Sequence, residues 1–225
     1  MSGDDATALT AALAEMLPTG FAAGFRTIRP DDEAALLPDE ARALTTTVPV
    51  ARRASGAARA LARGLMAGLG IAPRPILRSA LGAPLWPVGV VGSLAHDGPI
   101  AAAVVARVGD AAGVGIDVEP AEPLEADVAD LVVTAGDVLG SGDGRLAGRL
   151  AFVAKEAVYK AVHPLCGVIL DWPDIRLDLP GGRAQTSTGH AARLVLVRAP
   201  RLVAVAWVEG EGEGSQRVPP ERGRR

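Results

Sequence analysis

The sequence predicts an α+β protein, a pseudo-twofold duplication of two helix-plus-antiparallel-sheet halves. Two observations carry this expectation. An amphipathic segment at about 52–68 is followed by short β-prone runs, and a second at about 145–162 is followed by another such set. Hydrophobic residues make up 49% of the 225, enough for a sizeable core. The first half is expected to span 1–118 and the second 119–209, with 210–225 a disordered tail that has almost nothing to bury.

Residues 6–17 place Leu9, Leu13 and Leu17 at helical spacing. The stretch 21–49 reads as irregular, with a helix possible over 32–45. In the helix at 52–68, Leu61, Leu65 and Leu69 mark a buried side, and Arg52, Arg59 and Arg63 share another. Gly70 and Pro73 end it. Runs at 88–91, 100–106 and 113–119 read as an antiparallel meander, with Gly109-Asp110 as a turn. The helix at 145–162 carries the stripe Leu150, Val153, Ala157 and Ala161. Strands are expected near 175–179, 192–198 and 202–208.

Composition narrows the function. A net charge of −3 gives no pull toward nucleic acid or anionic lipid, and 3% aromatic residues argue against base stacking. A single cysteine, Cys166, excludes an internal disulfide framework and fits a reducing cytoplasm. The acidic N-terminus lacks the basic start of a signal peptide. The longest uncharged run, 79–95, is too short and too broken by proline and glycine to span a membrane. A soluble cytoplasmic protein is expected.

Three segments carry chemistry. In a strand over 113–119, Val114, Ile116 and Val118 face one way and Gly113, Gly115, Asp117 and Glu119 the other. Two carboxylates on one face suit a hard divalent cation, the alternative being an edge strand with a wet polar face. On a helix, Phe152, Glu156 and Lys160 share a side, adding a third carboxylate and a cation; an ordinary exposed Glu–Lys pair is the alternative. Only two of the 23 basic residues are lysines, and Lys155 and Lys160 flank Glu156 and the sole tyrosine, Tyr159. That retention points to lysine chemistry, which arginine does not replace. The run Trp86 to His96 reads as a loop in which Gly92, Ser93 and His96 can meet phosphate oxygens. The arginine stripe either meets phosphates or is simply solvated.

In this order, the segments resemble the phosphopantetheinyl transferase superfamily, particularly its larger, enterobactin-synthase-component-D-like branch. That family's G-[IV]-D-x-E is matched by Gly115 to Glu119, and its F-x-x-K-E-x-x-Y-K by Phe152 to Lys160. W-P-x-G-x-x-G-S-x-x-H is matched by Trp86 to His96, and R-x-x-A-R by Arg59 to Arg63. Ser55 replaces a frequent phenylalanine, Arg78 is the basic residue nearest 79–84, and 126–144 lacks the family's charged helix.

The resemblance implies a monomer that transfers the 4'-phosphopantetheine of coenzyme A to a serine of an acyl or peptidyl carrier protein. Siderophore, polyketide and nonribosomal peptide synthesis are the implied settings. Asp117, Glu119 and Glu156 would hold Mg²⁺. His96 would contact phosphate oxygens, Arg52, Arg59 and Ser93 the 3'-phosphate end, and Lys155 and Lys160 the pyrophosphate. Asp117, Glu156 and Lys160 would be the catalytic set, with Glu156 as base. Carriers of this kind are acidic, so a basic docking patch is implied. A diverged, non-catalytic coenzyme A or carrier-protein binding module and an unrelated Mg²⁺-dependent phosphohydrolase are the alternatives.

Overall fold

A computed structural model describes residues 3–80, 82–142 and 144–210; the expected tail over 210–225 lies outside them except for Gly210. The chain runs α1 (Gly3–Met16), β1 (Phe21–Thr27), a 3-10 turn (Asp32–Ala35), α2 (Pro38–Ala43), α3 (Pro49–Gly68), β2 (Leu77–Arg78), β3 (Pro84–Leu85), β4 (Val90–Asp97), β5 (Ile100–Arg107) and β6 (Ala111–Pro120). It continues through α4 (Ala126–Val132), α5 (Ala147–Cys166), β7 (Ile175–Asp178), β8 (Arg183–Thr186), β9 (Ala191–Val197) and β10 (Arg201–Glu209). The α+β class therefore holds, with antiparallel sheets ordered β1-β5-β4 and β6-β10-β9-β8-β7 and a small β2-β3 hairpin.

Strand alternation sorts the core into layers. Ala102, Val104 and Ala106 of β5 face Val114, Ile116 and Val118 of β6 and Val203 and Val205 of β10, while α1 adds Leu9 and Leu13. The other face of β5, Ala101, Ala103 and Val105, lies under α3. Leu202, Ala204 and Ala206 of β10 turn to α5. The order is thus helix, sheet, sheet, helix. Each large aliphatic chain buried here contributes on the order of 1.5–3 kcal/mol.

Several expectations are corrected. Residues 21–27 form an edge strand, because Phe21 to Thr27 pairs with β5 along its whole length. The runs over 88–120 are not one meander: β6 leaves β5 and pairs with β10 instead. The 118/119 division falls inside this strand. The buried stripe of α3 is Ala54, Ala58, Ala62 and Met66, while Leu61, Leu65 and Leu69 are only half-buried. Small residues win because α3 is pressed close. A Cβ on Gly56 would stand 1.9 Å from the Asp32 carbonyl oxygen. The charged helix missing from 126–144 is replaced by the short α4.

The arginine face of α3 is neither wet nor free. Arg63 donates to both carboxylate oxygens of fully buried Glu40, at 2.7 and 2.6 Å, and Glu40 also accepts from the backbone N–H of Ile76. Arg52 pairs with Glu33 at 2.6 Å, and buried Arg59 donates its Nε–H to the Ile76 carbonyl at 2.8 Å. These bonds fasten α3 to α2 and to the segment entering β2. Among the described residues, no helix is long and apolar enough to cross a membrane.

Candidate active site

The site begins with two glycines. On β6, Gly113 and Gly115 point at α5, where a Cβ would stand 2.2 Å from the Ala161 carbonyl oxygen and 1.9 Å from that of Ala157. Only hydrogen fits there, so the helix backbone rides directly on the strand. The next residues on that face are Asp117 and Glu119, and α5 supplies Glu156 and Lys160 one helical turn apart. The glycines therefore set the distance between the two motifs. Gly115→Ala is expected to push α5 off β6, costing about 1–3 kcal/mol by overpacking and lowering any activity more than stability alone explains. Chemical denaturation and turnover measured on the same preparation check this.

Lys160 Nζ donates to Asp117 Oδ1 at 2.7 Å and to the Ile116 carbonyl at 3.3 Å. The other oxygen of Asp117, Oδ2, is buried with no hydrogen-bond partner. Glu119 Oε2 pairs with Arg149 Nη1 at 2.7 Å. All three carboxyls are pushed above the ordinary acid range. For Asp117 burial dominates, opposed by Lys160. For Glu119 burial is followed by the charge of Asp117, opposed by Arg149. For Glu156 burial leads, with Lys160 lowering and Asp117 raising. Asp117 raises both Glu119 and Glu156, and two cations, Lys160 and Arg149, stand against the three acids. Even so, among the described residues no three His, Cys, Asp or Glu side chains are gathered closely enough to hold a metal ion.

His96 lies on strand β4 rather than on a loop, paired with Ala101. Its ring is exposed, yet surrounding protein lowers its pKa, chiefly by desolvation and then by Lys160, with Asp97 and Asp117 opposing. That coupling sets it near Lys160, Asp97 and Asp117, and the lowered pKa favours its neutral form. Ser93, three residues earlier in the strand, is on the opposite face and buried. The expected loop presenting both is not formed, because Gly92 to His96 is extended and Trp86 packs over Gly92.

Lys155 turns away from its motif partners. Fully buried, its ammonium pairs with equally buried Asp137 at 2.7 Å and donates to Thr134 Oγ1 at 3.1 Å and the Trp172 carbonyl at 2.9 Å. Its three N–H donors are all used inside the protein. No donor is left over for the expected pyrophosphate contact in this arrangement, although Lys155 is among the residues lining the cleft beside Glu156. Burial pulls its pKa down, against the hydrogen bond it donates to Asp137. Arg52 and Arg59 belong to the α3 contacts described above. Arg59 has its pKa lowered by burial first and also by Arg78 and Arg63, so these three cations are neighbours.

Three partners escaped sequence reasoning. Arg149 and Asp137 belong to no periodic pattern. Asp97, next to His96, pairs with Arg201 across the two halves, a contact 104 residues apart in sequence. A cleft of about 180 Å³ opens beside Glu156, lined by Tyr159, Leu170, Asp171 and Trp172. A larger concavity, about 570 Å³, is bordered by Arg176, Arg183 and Arg193 on the second sheet, and none of the predicted site residues lines it.

The family description "4'-phosphopantetheinyl transferase N-terminal domain" matches residues 39–106, and "4'-phosphopantetheinyl transferase superfamily" matches 113–205. This chain belongs to the 4'-phosphopantetheinyl transferase superfamily. The superfamily match contains β6 from Gly113 onward, all of α5, and Asp117, Glu119 and Glu156. Similar proteins include 4'-phosphopantetheinyl transferase Svp of Streptomyces mobaraensis, 36% identical over 82% of this chain and 88% of that protein. Also similar are PptT of Mycobacterium tuberculosis, at 35% over 71% and 70%, and Npt of Nocardia iowensis, at 38% over 70% and 74%, both named 4'-phosphopantetheinyl transferases.

Proposed function

We propose that this protein transfers the 4'-phosphopantetheine of coenzyme A to a serine hydroxyl of an acyl or peptidyl carrier protein, with a divalent cation, Mg²⁺, releasing 3',5'-ADP. The observation that supports it most is the unpartnered, buried Oδ2 of Asp117, whose charge acts on both Glu119 and Glu156. The three carboxyls are not gathered around one point in this structure, but their oxygen chemistry suits a hard cation, which Asp117, Glu119 and Glu156 would hold. Such a cation supplies charge neutralisation on the pyrophosphate.

The chain's own residues do the rest. Lys160 gives two N–H donors to Asp117 and Ile116, which leaves one for a phosphate oxygen. Uncharged His96 donates a second hydrogen bond to phosphate. Arg52 and Arg59, the latter beside Arg78, are proposed for the 3'-phosphate end with Ser93, the arginines through the Nη2 groups that their contacts around α3 leave unused. The serine oxygen bonds to the pantetheine-side phosphorus, the bond from that phosphorus to the bridging oxygen breaks, and 3',5'-ADP carries the electron pair away. Glu156 takes the serine proton, directly or through water.

A raised Glu156 pKa assists this base at neutral pH. With apo carrier and coenzyme A, one 3',5'-ADP should form per carrier modified. The acid limb of the pH–rate profile should lie above the ordinary glutamate value, since Glu156 acts only when deprotonated. Glu156→Gln should lose rate far more than coenzyme A affinity and should lose that limb. Nucleotide released from coenzyme A without carrier would point to a hydrolase instead, and coenzyme A binding without turnover to a binding module.

A further inference from the structure

Arg149 belongs to no motif, yet it makes the most connected side-chain contact around Glu119. It is the third residue of α5. Its Nη1 donates to Glu119 Oε2 at 2.7 Å, its Nε to the Glu122 carbonyl at 3.1 Å, and its Nη2 to the Pro123 carbonyl at 3.4 Å. Both charged side chains are only 19% exposed. A cation in the first turn of a helix opposes the helix dipole, so helix stability does not account for arginine here. The guanidinium instead ties the chain leaving β6 to the start of α5, the two elements that carry the carboxylates.

We infer that Arg149 is a positioning residue for the divalent-cation site, an inference that rests on the cation-dependent transfer proposed above. Two backbone carbonyls fix the guanidinium independently of Glu119. It therefore stays in place when a cation enters, holding one oxygen of Glu119 and leaving the other out of its grip. A lysine keeps the charge but lacks the planar fork that reaches a carboxylate and two carbonyls at once. Hydrogen-bonding partners of metal-ligating carboxylates typically change metal affinity by about 10–100-fold.

The test is calorimetric titration of Mn²⁺ into the full-length protein with coenzyme A present and carrier absent, on wild type, Arg149→Gln and Arg149→Lys. Both variants should bind the cation at least about tenfold more weakly. In turnover, the Mg²⁺ concentration for half-maximal rate should rise by a similar factor, with kcat recovering at saturating Mg²⁺. A purely structural role would lower thermal stability and kcat without moving cation affinity, and that result overturns the inference. Wild-type affinity in Arg149→Lys overturns it too, because charge alone would then suffice. If wild type neither binds nor is activated by the cation, the cation-dependent reading itself fails and the inference falls with it.

Discussion

Replacing Asp117 with alanine is expected to lower carrier modification by about a thousandfold or more, roughly 4 kcal/mol of transition-state stabilisation, while leaving the fold intact. The two effects separate because of how Asp117 is held. Its Oδ2 has no partner within the protein, and burial raises its pKa. A carboxyl that binds its proton more tightly folded than unfolded loses stability on ionising, so at neutral pH the charged side chain costs the native state. Its removal should leave the melting temperature unchanged or slightly higher. Lys160, 28% exposed, can rehydrate once its partner is gone. Scanning calorimetry and a carrier-loading assay on one preparation check both halves. Unchanged turnover would remove Asp117 from the cation site.

Lys155→Met should have the opposite signature, a large loss of stability with chemistry retained. Removing one member of a buried ion pair leaves the other uncompensated, which costs about 3–5 kcal/mol and lowers the melting temperature by on the order of 10 °C in a domain of this size. Asp137 would be stranded with Thr134 and the backbone N–H of Leu177 as its donors. Asp137→Asn should destabilise in the same sense. In the cold, the Lys155→Met protein that remains folded should transfer within about tenfold of wild type, since Lys155 lies within the protein's own hydrogen-bond network. A loss comparable to that of Asp117→Ala, with stability preserved, would restore Lys155 to the pyrophosphate.

The contrast between the two lysines shows what was legible in the sequence. Strand alternation places Asp117 and Glu119 on one face, and helical spacing places Glu156 and Lys160 together. The Gly113/Gly115 contacts explain how the faces meet. Lys155 is adjacent to Glu156 in sequence, so motif logic groups them, but helix geometry points it about 100° away. There it meets an aspartate on the turn after α4, which no local pattern announces. Arg149 was overlooked for the same reason, because its partners lie 26 to 30 residues away. The loop reading of Gly92 to His96 failed because glycines suggested a turn, whereas Gly92 is needed to admit the Trp86 ring. The edge strand β1 escaped because FAAGFRT is rich in alanine and glycine and lies between prolines.

The most direct measurement is intact-protein mass spectrometry of an apo carrier protein incubated with this protein, coenzyme A and Mg²⁺, with and without EDTA. The carrier should gain one phosphopantetheine on its serine, and chelation should abolish the gain and restored Mg²⁺ recover it. An unmodified carrier across several carrier types, with coenzyme A still bound, would contradict transfer; a gain untouched by EDTA would contradict the cation.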